Sequence, residues 1–193
     1  MDLRPWIDEP GIIAEGRAVL LARPTPEEVQ AILQLWEKPY VGRSARFPFL
    51  PNPSDFSTWL LLRLALGAPY RATLGIRFRP DGRLVGSIGW TGWDPQARTV
   101  WVGDLAVDYS VLKSIGRQWP AGYPGVAVDA VTALTGFLFE RLEVETVETF
   151  IAETNGLARQ VARRAGFREV GRFLYPVPTG PPVPAVVFRL SRC

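Results

Sequence analysis

The 193-residue chain has no histidine, and its single cysteine, Cys193, is the last residue. Without histidine, Ser-His-Asp catalysis, Cys-His catalysis and histidine metal sites are excluded. A lone terminal cysteine makes no internal disulfide and is poorly placed as a nucleophile. A general base must be Asp, Glu, a tuned Lys, a Tyr, a terminus or an ordered water. Long apolar runs are missing too: Trp59 to Leu62 is one of the longest, against the roughly 20 residues that span a bilayer. The opening stretch, MDLRPWIDEPGIIAEGR, mixes acids and prolines without an apolar core. It predicts no signal peptide, no membrane attachment and a cytoplasmic location. No GxxxxGK[ST] loop is present, which argues against an NTPase. Neither charge sign dominates: 22 basic and 19 acidic residues give +3, and no nucleic-acid partner is implied. The densest basic group, Arg159, Arg163 and Arg164, is either a solvated helix face or an anion patch.

The chain is nevertheless 47% hydrophobic, enough for one core. A single domain over residues 1–193 is expected, with 1–16 as an irregular arm. Arg17 to Ala22 reads as a strand. Thr25-Pro26-Glu27-Glu28 is a helix start with its cap, first-turn proline and capping-box glutamate. Val29, Ile32, Leu33 and Trp36 then mark the buried face. Pro39 to Pro53 reads as loop and Asp55 to about Gly67 as a second helix. Arg71–Arg79, Leu84–Thr91 and Thr99–Val107 form an antiparallel meander, the first two joined at Pro80-Asp81-Gly82. Asp108 to Gln118 is a polar connection.

Gln118 to Arg141 is the stretch that organises the rest. Pro120, Ala121, Gly122, Pro124 and Gly125 make a turn running straight into an apolar helix uncharged until Asp129. Free N–H groups at such a helix start suit a phosphate. A strand from Val144 to Ala152, a helix from Gly156 to Ala165 after Asn155, and strands Phe167–Leu174 and Ala185–Leu190 follow. This order predicts an α+β fold with a mixed central sheet.

Two motifs in this order resemble those of the Gcn5-related N-acetyltransferase (GNAT) superfamily, in its ribosomal-protein N-terminal acetyltransferase-like branch. Trp119-Pro-Ala-Gly122-Tyr123-Pro124-Gly125-Val-Ala127 is similar to the family's cofactor turn. Asn155-Gly-Leu-Ala158, with Ala165-Gly166-Phe167-Arg168 and Gly171, is similar to its closing motif. The resemblance spans roughly residues 15 to 190. It implies an acyl-CoA N-acyltransferase-like fold, with a mostly antiparallel sheet of about seven strands flanked by helices.

The resemblance also implies a site. Backbone at Leu105, Ala106 and Val107 would pair with the pantetheine arm of acetyl-CoA. N–H groups of Ala121, Gly122, Tyr123, Gly125 and Val126 would hold the pyrophosphate; Pro120 and Pro124 have none to offer. Asn155 would bond the arm or simply cap its helix. Asp104 and Glu148 are the candidate catalytic carboxylates, with water as the alternative. No metal is called for. The implied reaction is acetyl transfer to a primary amine, either a protein N-terminus or a small amine such as an aminoglycoside. The alternative is a CoA-binding module of the same fold without catalysis. The hairpin around PVPTGPPVP could pair two copies into a homodimer, or be a plain edge.

Overall fold

The computed structural model describes residues 11–44, 72–115, 119–176 and 181–192. The first ten residues of the expected arm, the loop from Ala45 to Pro53, the helix expected at 55–67, Gln118, the middle of the C-terminal proline loop and Cys193 lie outside the described residues.

In chain order the elements are β1 (Ile12–Glu15), β2 (Val19–Ala22), α1 (Pro26–Glu37), α2 (Pro39–Ser44), β3 (Ala72–Phe78), β4 (Leu84–Asp94), β5 (Thr99–Val107), α3 (Tyr109–Ile115), α4 (Val126–Arg141), β6 (Thr146–Ala152), α5 (Gly156–Arg164), β7 (Arg168–Tyr175) and β8 (Val183–Ser191). The strands form one sheet in the order β1-β2-β3-β4-β5-β6-β8-β7. Every neighbouring pair is antiparallel except β5 and β6, which run parallel. The expected α+β class and mixed, mostly antiparallel sheet are both present, with eight strands among the described residues.

Alternation sorts the strand residues onto two faces. Ile88, Trp90, Val100, Val102 and Val147 join the main core with Ala130, Leu134, Phe137 and Leu138 of α4 and Ala162 of α5. Burying one such large side chain contributes roughly 1.5–3 kcal/mol. The other face carries α1: Ile32 and Leu33 pack with Leu84, and Leu35 and Val41 pack with Ala106. Helix α1 begins as its sequence predicts. Thr25 Oγ1 accepts from the Glu28 N–H at 3.3 Å, and Glu28 Oε2 accepts from the Thr25 N–H at 2.9 Å. Such a cap is worth about 1 kcal/mol.

Three segments differ from expectation. Ile12–Glu15 is an edge strand rather than irregular arm, because Gly16 turns it back onto β2 and Ile13 and Ala14 lean on the core. Pro39–Ser44 is a short helix rather than loop, seated by Val41 against Leu35 and Ala106. The polar connection after Val107 contains α3, because the Asp108 carboxylate accepts from the N–H groups of Ser110 and Val111. An acid reading as solvated loop is in fact a helix cap.

Candidate functional site

The site is built where β5 and β6 part. Their ladder consists of Thr99↔Thr146, Val100↔Val147 and Trp101↔Glu148. Beyond Trp101 no ladder pair joins them among the described residues, while β6 stays paired to β8 as far as Ala152. A β-bulge accompanies the parting. Opposite β4, Ser87 pairs with Ala106 but Gly89 pairs with Gly103, so β5 holds one extra residue there. Asp104 sits in that bulge with φ +53°, a conformation that Asp tolerates better than most side chains. The hydroxyl of Ser87, which accepts a hydrogen bond from Trp36 Nε1 at 3.1 Å, donates to the Asp104 carbonyl at 3.4 Å. Helix α1 thereby reaches the bulge.

Beyond the bulge the backbone bonds show which edge each peptide group faces. The Asp108 N–H donates to the Val85 carbonyl at 2.8 Å. Antiparallel alternation then gives Ala106 to the β4 ladder and turns the N–H and C=O of Val107 toward the gap. Of the three residues expected to line the gap, Ala106 thus faces it least with its backbone.

The turn before α4 lies beyond the bulge. Pro120 to Tyr123 closes through the Tyr123 N–H donating to the Pro120 carbonyl at 3.1 Å. Gly122, at the third position, has φ +65°, as a type II turn requires. This bond takes the Tyr123 N–H out of the set of free donors. Gly125 is the N-cap of α4 and makes no side-chain cap bond. The first intrahelical bond is Asp129 N–H to the Gly125 carbonyl, at 3.0 Å. The N–H groups of Gly125, Val126, Ala127 and Val128 therefore lack intrahelical acceptors. Among the described residues nothing lies within 4 Å of a Cβ placed on Gly122 or Gly125, which leaves room for a ligand at the mouth of the helix. Open donors at a positive dipole end fit a pyrophosphate, and the unpaired strand edge fits an amide-bearing arm.

The underside of the turn is packed. Trp119 and Tyr123 stack at 5.0 Å and 5° between planes, and Trp119 meets Phe78 at 4.7 Å. The Tyr123 hydroxyl donates to Asp129 Oδ2 at 3.1 Å. Burial, and then the charge of Asp129, push this phenol far above its usual range, so it remains a donor. Asp129 also accepts from the N–H groups of Arg17, at 2.8 Å, and Ala18, at 2.9 Å.

Both candidate acids lie on the face that carries α1. Glu148 is the ladder partner of Trp101, whose neighbours Val100 and Val102 face the opposite core. The Asp104 Oδ2 lies 3.4 Å from the position of a Cβ on Gly89, and Gly89 shares a face with Ser87. Glu148 is buried and accepts from Arg189, its cross-strand partner on β8, at 2.7 Å from Nε and 2.6 Å from Nη2. Beside it four rings pack together: Phe150 meets Trp101 at 5.5 Å, Phe173 at 5.8 Å and Tyr175 at 5.3 Å.

Asn155 caps α5, its side-chain oxygen accepting from the Ala158 N–H at 3.0 Å. The turn lies at the Val107 end of β5, Glu148 is level with Trp101 near the other end of that strand, and Asp104 stands between them where β5 and β6 part. Sequence reading missed the Trp101–Phe150–Phe173–Tyr175 cluster, whose members are far apart in the chain. It also missed Asp129, although a single acid on an apolar helix was a usable signal.

Residues 18–168 match the acetyltransferase (GNAT) domain family. The chain belongs to that family. It is an acetyl-CoA-dependent N-acetyltransferase of the GNAT fold. No significant match is found among curated proteins. Solved structures similar to it include a GCN5-related N-acetyltransferase from Brucella melitensis. That match has TM-score 0.70 and 20% identity, covering 95% of this chain and 79% of the other. An acetyl transferase from Salmonella typhimurium that modifies the N-terminal serine of ribosomal protein L7/L12 is similar with TM-score 0.73 and 14% identity, over 95% and 100%. The microcin C7 self-immunity acetyltransferase MccE, in complex with acetyl-CoA and AMP, is similar with TM-score 0.68 and 13% identity, over 91% and 93%. In this GNAT chain no helix among the described residues is long and apolar enough to cross a membrane.

Proposed function

We propose that this GNAT enzyme acetylates a primary amine, either a protein N-terminus or a small amine such as an aminoglycoside. The observation that carries the proposal is the parting of β5 from β6, whose ladder ends at Trp101 among the described residues, together with the N-terminus of α4 and its free backbone N–H groups. Acetyl-CoA would lie with its pantetheine arm along Leu105 and Val107. Its pyrophosphate would meet the N–H groups of Ala121, Gly122, Gly125 and Val126. Ala127 and Val128 extend that donor set, which offsets the loss at Pro120 and Pro124. Asn155 would reach the arm from the start of α5 while capping that helix.

The amine nitrogen attacks the thioester carbonyl carbon. The tetrahedral oxyanion collapses, the C–S bond breaks, and the CoA thiolate leaves and takes a proton. The attacking nitrogen gives up its proton to water or a carboxylate. Backbone N–H groups at the bulge would polarise the carbonyl, and positioning supplies much of the rate. Glu148 is the better-supported proton acceptor. Both Arg189 contacts fall on its Oε1, so Oε2 is the oxygen available to a water or an amine. Asp104 is the second candidate. We further propose a cytoplasmic enzyme, with homodimer formation through the β7–β8 hairpin supported by the 64% exposure of Leu174 on the edge strand.

A thiol-release assay with acetyl-CoA over a panel of N-terminal peptides, aminoglycosides and simple amines tests the proposal. Acceptor-dependent release with one class supports it. CoA binding without release for any acceptor would favour the non-catalytic module.

A further inference from the structure

We infer that Asp129 is a positioning residue for the cofactor: from inside α4 it sets the pose of the turn that receives the pyrophosphate, acting through the Tyr123 hydroxyl. This rests on assigning the turn to acetyl-CoA as above.

Asp129 is 4% exposed on a helix face otherwise made of Val126, Ala130 and Leu134. A buried carboxylate is costly unless its oxygens are matched by donors. Here three donors reach it, and they come from two separate elements. The N–H groups of Arg17 and Ala18 come from the corner between β1 and β2, and the hydroxyl comes from Tyr123 in the cofactor turn. The fit at the corner is tight: a Cβ on Gly16 would stand 2.6–2.8 Å from the carboxylate atoms. The corner also grips the turn directly, since Arg17 Nη1 donates to the Gly122 carbonyl at 3.4 Å.

A hydrophobic residue would fill the position of Asp129 without any buried charge. What the acid adds is a fixed point. It lies one residue beyond the last unbonded N–H of the helix start and holds Tyr123, which lies two residues before that start. The ring of Tyr123 is meanwhile locked on Trp119. The carbonyl of Pro120, the peptides of Ala121 and Gly122, and the N–H groups of Gly125 and Val126 are thereby fixed relative to one another before any ligand arrives. Preorganised donors bind an anion without the cost of ordering a loop.

Tyr123→Phe removes the hydroxyl alone and keeps the stack and the two backbone donors of Asp129. Titration calorimetry with CoA at 25 °C and steady-state kinetics in acetyl-CoA are the measurements. The Kd for CoA and the KM for acetyl-CoA should each rise about three- to tenfold, the range of one lost hydrogen bond to a charged group's network. The kcat should change by less than the KM does. Asp129→Asn, which pits its own amide hydrogens against the Arg17 and Ala18 donors, should weaken CoA binding at least as much, and adding Tyr123→Phe to it should weaken binding little further. A Tyr123→Phe protein that binds CoA like wild type, even with a lowered Tm, overturns the positioning role and leaves the cofactor assignment standing. Wild-type protein that does not bind CoA overturns both.

Discussion

Glu148 and Arg189 face each other across the β6–β8 ladder, with both guanidinium contacts on one carboxylate oxygen. The pair holds the acid in place on the sheet face that also carries the aromatic cluster. Glu148→Gln should keep the fold and lower kcat by about 10²-fold, the usual scale for a general base. Arg189→Ala should also lower kcat, because the carboxylate loses its anchor. Stopped-flow or steady-state thiol release with an active acceptor reads both. A Glu148→Gln enzyme as fast as wild type would pass the proton to water or to Asp104.

Asp104 answers to backbone geometry before chemistry. Its φ of +53° lies in the left-handed region. Asp104→Gly should fold with equal or slightly greater stability, and Asp104→Val should lose about 1–3 kcal/mol. Thermal denaturation distinguishes these. Asp104→Asn suits the same backbone, so any fall in its kcat isolates the carboxylate; a smaller fall than for Glu148→Gln is expected.

Gly16→Ala should be costly although the change adds only one methyl. The new Cβ would press into the Asp129 carboxylate, and overpacking of this kind costs about 1–3 kcal/mol. A lowered Tm together with weaker CoA binding is the expected pair of results. A wild-type Tm would mean that the β1–β2 corner yields freely.

Asp108 gives a pH signature. Burial pushes its carboxyl upward, but bonds from Lys38, the Ser110 hydroxyl and the N–H groups of Val111 and Ser110 prevail and hold it at about 2. Its unfolded value is about 3.9. A depressed folded value contributes stability above the unfolded value, and that stability is lost as pH falls from about 4 toward 2. After allowing for solvent screening the contribution is about 1 kcal/mol. Asp108→Asn should lower stability at pH 7 and flatten the acid limb in chemical denaturation between pH 5 and 2. An unchanged acid limb would place the linkage elsewhere.

The start of α1, the hairpin between β3 and β4 and the start of α5 were legible because local rules fix them: a capping box, a Pro-Asp-Gly turn, an Asn cap. The turn before α4 was legible as a turn because glycine suits the positive φ of Gly122 and Gly125. What depended on distant partners was not. Asp108 reads as a loop acid until Lys38 and the N–H groups of α3 are seen around it. Ile12–Glu15 is too short to declare itself a strand without β2 alongside. The bulge at Asp104 left no mark in an otherwise regular pattern, and whether Glu148 is paired could not be known before Arg189 was placed opposite it.

The extra residue in β5 matters for the shape of the strand as well as for its chemistry. Each residue of a strand presents its peptide group to one edge, and the next presents it to the other. One residue inserted at the bulge therefore shifts that count by one. Gly103 stands opposite Gly89, and the next residue given to β4 is Ala106, opposite Ser87, three places on rather than two. Deleting Asp104 would restore plain alternation and leave Ala106 on β4 and Val107 on the gap. What the strand would lose is the bend itself, together with the carbonyl that Ser87 bonds.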